Sequence, residues 1–361
     1  GGYPQVSNTN LLELDLTEAA KKGLLELELH ERLDEKVKFD VIIGNPPYQL
    51  SDGGQAASAI PLYNLFVNEA KNLHPRYLSM IIPARWYAGG KGLSDFRKDT
   101  LSDRRISFLV DYANSVDLFP DVNIAGGVCY FLWENEKKDG DCRVINANKN
   151  GQYSEANRPL GEYEIFVRDN ASVEIIRKIK KIDKVFLSES VKSYSYFAVR
   201  SYERGKKNQT SGSDVVLLSS NGKGFYDRNK ITDREDILEK YKVIITYAMS
   251  GGNKPTSDGN YQIVSSLQVL LPNEVCTETY LVLGTFDDLA TALNMSTYIS
   301  TKFCRFLMLQ ALTSIHITKD SFQFVPAQDF SEPWTDEELY KKYQFTIEEI
   351  KFIESTIRPM D

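Results

Sequence analysis

The stretch Phe39-Asp40-Val41-Ile42-Ile43-Gly44-Asn45-Pro46-Pro47-Tyr48 decides how the rest of the chain is read. Its first half is a run of strand-forming residues. Pro46 and Pro47 then end the ladder, because neither has an N–H to donate. A strand over 39–43 therefore runs into a rigid turn carrying two acceptors, the Asn45 side-chain oxygen and the Pro46 carbonyl, and one aromatic ring, Tyr48. An exocyclic amine conjugated to an adenine ring has a delocalised lone pair. Two acceptors aimed at its N–H groups draw the nitrogen toward sp³ geometry and free that lone pair for a methyl donor, while an aromatic neighbour can stack on the base. The plainer reading is a strand-terminal turn without chemistry. Position favours the first, since ligands of doubly wound sheets sit at the carboxyl ends of strands.

Upstream of the turn, the pattern predicts a strand over 10–14 ending at Asp15 and a helix over 17–33 capped by Thr17. Downstream it predicts a helix over 61–73, a strand over 77–82 stopped by Pro83, a helix over 94–101, and strands over 106–112 and 127–133. Such alternation implies a parallel sheet covered on both faces. Residues 135–161 are polar and rich in Asn, Lys and Gly, as an interdomain hinge would be. There follow a helix over 171–181, short strands over 215–218, 243–247 and 268–271, a long helix over 291–312, and capped acidic helices over 335–343 and 346–357. The expected division is a catalytic part over 1–150, a recognition domain over 160–330 and a helical tail over 331–361.

The net charge of −7 argues mildly against a polyanionic partner until its distribution is considered. Residues 177–230 hold thirteen Lys and Arg against five Asp and Glu, while residues 329–361 hold nine acids against four bases. A basic middle and an acidic end suit a chain that faces nucleic acid on one side. Arg200, Arg204, Lys206, Lys207, Lys223, Arg228 and Lys254 lie among Gly- and Ser-rich loops and are the candidate DNA-backbone contacts, though each alone also reads as a surface charge. Four scattered cysteines form no disulfide framework or zinc pattern, so a reducing, cytoplasmic setting is expected. Three isolated histidines (His30, His74, His316) give little support to a metal site or a hydrolytic triad, and no metal is expected. No apolar run reaches membrane-spanning length.

With these residues in view, the chain resembles the amino-group DNA methyltransferases that make N6-methyladenine, of the TaqI type (gamma order). Asn45-Pro46-Pro47-Tyr48 matches the catalytic tetrapeptide of that family. Met80-Ile81-Ile82-Pro83-Ala84-Arg85-Trp86 is similar to its next core strand and turn, and Asp117-Leu118-Phe119-Pro120 and Gly127-Val128-Cys129-Tyr130-Phe131 to its later strands. Residues 242–247, 289–309 and 314–326 resemble more weakly its target-recognition domain, and 325–330 with the acidic tail are similar to large restriction-modification polypeptides.

The resemblance implies an α/β fold: a Rossmann-like class I methyltransferase sheet with its N-terminal strands missing, then an α+β target-recognition domain and a short helical tail. It implies site-specific adenine-N6 methylation within a restriction-modification system, S-adenosylmethionine as cofactor, base flipping, double-stranded DNA as partner, and nuclease or helicase domains upstream on the same polypeptide. Asn45, Pro46, Pro47 and Tyr48 are then catalytic, Tyr48 and Phe131 stack on the flipped adenine, and Asp15 and Asn45 meet the cofactor. In Phe131 an ordinary core residue fits the sequence equally well, and in Asp15 a helix cap does.

One departure stands out. The family's glycine-rich cofactor loop should precede Asp15 and does not, and Gly126-Gly127, Gly222-Lys223-Gly224 and Gly251-Gly252 do not read as strand-to-helix turns. The chain is accordingly expected to be the C-terminal part of a longer enzyme, incomplete by itself. Two other readings stay open. One is a non-catalytic DNA-recognition module of a larger restriction enzyme. The other is a protein-glutamine N5-methyltransferase, which uses the same tetrapeptide on a planar amide but ends sooner after the catalytic sheet.

Overall fold

A computed structural model describes residues 39–50, 60–89, 92–151, 153–233, 236–248, 255–256, 258–312 and 316–360. The expected strand over 10–14, the helix over 17–33, Asp15 and Lys254 lie outside the described residues. The chain divides into two compact units, 1–170 and 171–361.

In the first unit the strands are β1 (Val41–Gly44), β2 (Gln49–Leu50), β3 (Ile60–Pro61), β4 (Tyr77–Pro83), β5 (Ile106–Tyr112), β6 (Val128–Glu134), β7 (Cys142–Ala147) and β8 (Tyr153–Arg158), with helices α1 (Tyr63–Asn72) and α2 (Ser94–Ser102). Six strands form one sheet in the order β1-β4-β6-β5-β7-β8. β1, β4, β5 and β7 run parallel to one another, whereas β6 and β8 run antiparallel to their neighbours. The sheet is therefore mixed rather than all-parallel. The loop between β5 and β6 carries a short 3₁₀ turn and no crossover helix, so β6 returns antiparallel and inserts between β4 and β5. Residues read as a polar hinge supply β7 and β8 instead. Cys142 and Val144 face inward at alternate positions while Arg143 points to solvent, and this period of two, not mean polarity, makes the strand.

Gly44, Met80, Phe131, Leu109 and Val144 stand opposite one another on successive strands, so they form one cross-strand row. Met80, Phe131, Leu109 and Val144 from this row enter the main hydrophobic cluster, together with Tyr63, Trp86, Tyr87, Trp133 and Phe166. At the other side of the sheet β1 is the outermost strand among the described residues, and Val41 and Ile43 are 47% and 79% exposed.

The second unit opens on α3 (Asn170–Ile182) and contains β9 (Val215–Ser219), β10 (Gly222–Tyr226), β11 (Tyr241–Thr246), β12 (Leu267–Leu270), β13 (Glu274–Cys276) and β14 (Tyr280–Phe286). They form two three-stranded sheets, β10-β9-β13 and β12-β11-β14, whose residues share one core around Leu217, Ile244, Leu270 and Val275. Helices α4 (Leu289–Ser300), α5 (Lys302–Ala311), α6 (Asp336–Lys342) and α7 (Ile347–Thr356) follow. The single helix expected over 291–312 is thus two. Thr301 is extended at the break, and its hydroxyl oxygen accepts the Cys304 N–H at 3.1 Å as the cap of α5. The apolar spacing continues through Thr301, which hid the break from a periodicity argument.

The tail packs into this second unit. The Phe303 and Tyr343 rings stack at 5.2 Å, and Glu349 of α7 pairs with Lys178 of α3 at 2.6 Å. Lys342 reaches Asp183 at 3.0 Å. Glu349 at the acidic end of the sequence therefore neutralises one lysine of the basic helix α3. Among the described residues no helix is long and apolar enough to cross a membrane.

Candidate active site

Asn45 follows directly from the carboxyl end of β1, and the loop Asn45-Pro46-Pro47-Tyr48 leads into β2. Asn45 and Pro47 are exposed, Pro46 is buried and Tyr48 is half-buried. Two bonds fix the loop's far side: the Leu62 N–H donates to the Tyr48 carbonyl at 3.1 Å, and Gln49 and Leu50 pair with Pro61 and Ile60. The loop is thereby tied to the start of α1. Pro47 restrains Pro46 to extended backbone, and neither proline has an N–H to continue the ladder of β1.

Behind the loop lies a buried aromatic cluster that the sequence reading did not assign. Pro83 ends β4, and the 3₁₀ turn Ala84–Tyr87 turns Trp86 and Tyr87 inward. Trp86 meets Tyr87 edge-on at 4.7 Å, and Tyr87 packs on Phe166 at 4.4 Å. The hydroxyls of Tyr48, Tyr63 and Tyr87 and the Trp86 indole N–H are buried without a partner of hydrogen-bonding geometry, although the Cys129 thiol lies within electrostatic reach. Burial, followed by the Cys129 thiol, raises the Tyr48 phenol above its ordinary range. Burial also pushes Cys129 up to about 12, so it remains a thiol at neutral pH and offers no thiolate nucleophile. Phe131 is 4% exposed within the sheet's core. It stands two strands away from Gly44, and so roughly 10 Å from the loop at ordinary strand spacing.

The strand ends beside this cluster are held by one ion pair. Arg168 donates from Nε to Asp111 Oδ2 at 2.6 Å and from Nη2 to Asp111 Oδ1 at 2.7 Å, and reaches the carbonyls of Gly126 and Tyr112 at 2.8 and 3.1 Å. The Asp111 charge raises the Arg168 guanidinium further against the opposing effect of burial. Gly127 completes the crossing point with φ +78°, and a Cβ there would lie 2.1 Å from the Tyr112 carbonyl oxygen. Its own carbonyl accepts the Ala84 N–H at 3.0 Å. A run of Pro, Arg, Trp and Tyr after an apolar strand was the available signal for this cluster. Nothing local in sequence pointed to Arg168.

A glycine cluster passed over in the sequence does lie between a strand and a helix. Gly89 and Gly92, both with positive φ, connect β4 to α2 by way of the 3₁₀ turn. The Arg97 guanidinium covers Gly89, where a Cβ would meet Nη1 at 3.0 Å, so that glycine serves packing against an arginine. Two hollows of this unit open at the amino ends of the parallel strands, the end opposite to Asn45. One of about 670 Å³ is bounded by α2, Gly161 and Tyr163, and another of about 880 Å³ by Lys71, Arg104 and Lys137. Among the described residues no cluster of His, Cys, Asp or Glu is placed to hold a metal.

In the second unit the candidate cations differ in their surroundings. Arg200 pairs with Glu278 at 3.3 Å, Lys223 with Glu274 at 2.6 Å and Arg228 with Glu239 at 3.7 Å. Arg204 bonds back to the Ser201 and Glu203 carbonyls. Lys206 and Lys207 are exposed. Lys206 exchanges backbone bonds with Phe225 of β10 at 2.7 and 2.8 Å, which extends that sheet by one bridge. The approach is close because Gly205 faces Gly224, where a Cβ would meet backbone at 2.3 Å. Arg204, Lys206, Lys207 and Lys223 are thus gathered at one sheet edge.

With this geometry established, residues 5–119 match the family described as Eco57I restriction-modification methylase. The chain is also 37% identical over 164 residues to a protein of Mycoplasma pneumoniae described as an uncharacterized adenine-specific methylase, covering 42% of this chain and 38% of the relative. The chain thus spans about two fifths of the length of that curated relative. Among solved structures it is similar to the type IIG restriction endonuclease BpuSI at 11% identity, over 89% of this chain and 50% of that one, with a TM-score of 0.36. It is similar also to the type IIL restriction-modification enzyme MmeI in complex with DNA at 8% identity, over 72% and 43% of the two chains, with a TM-score of 0.32.

Proposed function

We propose that this chain is the methyl-transferring and DNA-recognising part of a site-specific DNA adenine-N6 methyltransferase of a restriction-modification system. The observation that carries the reading is the Asn45-Pro46-Pro47-Tyr48 loop, held at the carboxyl end of a parallel strand with Asn45 exposed and Tyr48 anchored to Leu62. The order β1-β4-β6-β5 with an antiparallel β6 supports half of a Rossmann-like methyltransferase sheet.

In this reading an adenine is rotated out of the duplex and its ring lies against Tyr48, which offsets part of the unstacking cost. The Asn45 side-chain oxygen and the Pro46 carbonyl accept the two N6 hydrogens and hold the amine with its lone pair directed away from the ring. Bound S-adenosylmethionine supplies an electrophilic methyl group. Of the two cofactor candidates, Asp15 and Asn45, Asn45 is the one among the described residues, and in this reading the described part of the chain supplies the amine-holding side of the site. The second unit grips DNA through Arg204, Lys206, Lys207 and Lys223.

The test is transfer of labelled methyl from S-adenosylmethionine to DNA lacking adenine methylation, with this chain, with a longer version carrying a glycine-rich loop upstream, and with Asn45→Ala in each. Label in N6-methyladenine that falls about 10²-fold in Asn45→Ala, with DNA binding retained, is the expected result. Salt-sensitive DNA binding without label in either version would replace this reading by that of a non-catalytic recognition module.

A further inference from the structure

We propose that Tyr194, Tyr247 and His316 form a stacking platform for an unstacked nucleobase on the second unit, with the Arg200 guanidinium beside it. The inference rests on the DNA-binding reading above and adds to it a site separate from Tyr48. The Tyr247 ring is 4.4 Å from Tyr194, which is tilted 42° against it, and 4.8 Å from His316, to whose imidazole it is within 21° of parallel. Tyr194 is 49% exposed and His316 is exposed, so the ladder ends in solvent rather than in the core. The near-parallel Tyr247–His316 pair, with Tyr194 tilted beside it, offers a π-face that every base can use, whatever its hydrogen-bonding edge.

Rigid elements hold each ring. Tyr247 directly follows β11, its N–H donating to the Thr279 carbonyl and its carbonyl accepting the Ile317 N–H, both at 2.8 Å. His316 sits in the adjoining bridge to Ala248. Tyr194 begins a turn whose Tyr196, Phe197 and Val199 are buried, leaving Tyr194 and Arg200 outward. Ser195 and Ala198 in that turn both have positive φ, as does the β-branched Val264, two residues before the Ser266 carbonyl that accepts the Thr246 N–H. Left-handed backbone at non-glycine residues costs free energy and persists where the surroundings impose it, often around ligand sites. Glu278 accepts from Arg200 at 3.3 Å and from the Ser201 N–H at 3.1 Å, which fixes the cation next to the ladder. A near-parallel Tyr247–His316 pair with an oriented guanidinium nearby suits a base and its phosphate better than it suits an apolar side chain.

Fluorescence anisotropy with a labelled, fully paired duplex and with the same duplex carrying one bulged adenine provides the test. The intact chain should prefer the bulged duplex at least about fivefold. Tyr194→Ala with His316→Ala should erase the preference while the slope of log K against log salt on the paired duplex stays unchanged, because stacking releases no counterions. Tyr194→Phe with His316→Phe, which keeps the flat faces, should retain the preference, and this guards against a mere loss of folding. Equal binding of both duplexes by the intact chain, or a preference surviving the alanine pair, would overturn the platform alone. Binding of neither duplex would overturn it together with the DNA-binding reading.

Discussion

Arg168 closes on Asp111 with two hydrogen bonds, at 2.6 and 2.7 Å, and so ties the end of β5 to a residue 57 positions further along the chain. Asp111 is 2% exposed, so the pair is asymmetric in what its loss would do. Arg168→Met strands a buried carboxylate and should lower stability to urea by about 3–5 kcal/mol. Arg168→Lys should recover part of this, since a single ammonium cannot reproduce the forked contact. Adding Asp111→Asn to Arg168→Met should also recover part. An Arg168→Met chain as stable as the parent would show that the pair contributes nothing.

Tyr48 separates ring from hydroxyl. Its hydroxyl is buried without a hydrogen-bond partner, so Tyr48→Phe should leave stability unchanged or raise it by up to about 1 kcal/mol. If the ring does the stacking, methylation by the enzyme should survive Tyr48→Phe and fall roughly 5- to 150-fold in Tyr48→Ala. Equal losses in the two variants would assign the role to the hydroxyl.

The basic loop at β10 makes a different prediction. Lys206 and Lys207 are exposed, whereas Arg200, Lys223 and Arg228 each have a carboxylate partner. Lys206→Ala and Lys207→Ala should each weaken DNA binding uniformly across sequences and reduce the salt slope by about 1. Lys223→Ala should reduce it less, because Glu274 already neutralises that ammonium. A salt slope indifferent to Lys206 and Lys207 would move the phosphate contacts elsewhere.

The second unit should also show an alkaline signature. Lys242 is fully buried, its ammonium donating to the carbonyls of Ile237, Leu238, Lys240 and Leu271 at 2.6–3.3 Å. Burial lowers it from 10.5 to about 8, against the nearby Cys276 and Glu274. The unfolded chain then holds a proton that the fold does not between about pH 8 and 10.5, so this group adds stability as pH rises through that window. Ile237, Leu238 and Leu271 carbonyls also accept backbone N–H groups, so Lys242→Met strands few acceptors. Urea melts from pH 7 to 9.5 should show the parent gaining on Lys242→Met. A constant difference would refute the shift.

The parts of the fold legible in the sequence were those decided locally. Pro83 stopping β4, Thr335 and Thr346 capping α6 and α7, and the apolar, β-branched and aromatic runs of β5 and β6 all act over one turn or one strand. Direction and order were less legible. That β6 inserts antiparallel between β4 and β5 depends on which neighbour completes the core, and Val128–Glu134 reads the same in either orientation. β7 and β8 were lost because mean polarity masked the alternation of Cys142 and Val144. In the candidate site, Asn45 to Tyr48 were visible because the proposed motif is four consecutive residues. Arg168 with Asp111, and Tyr194 with Tyr247 and His316, are assembled from distant segments, and a linear pattern cannot show them.

Gly127 touches no proposed substrate, yet nothing larger fits where its backbone passes the Tyr112 carbonyl. In a comprehensive substitution screen read out by DNA protection alone, it would score with Asn45 as indispensable. Measuring cellular abundance of each variant in parallel would part the two, since Asn45 substitutions should accumulate normally while Gly127 substitutions should be degraded.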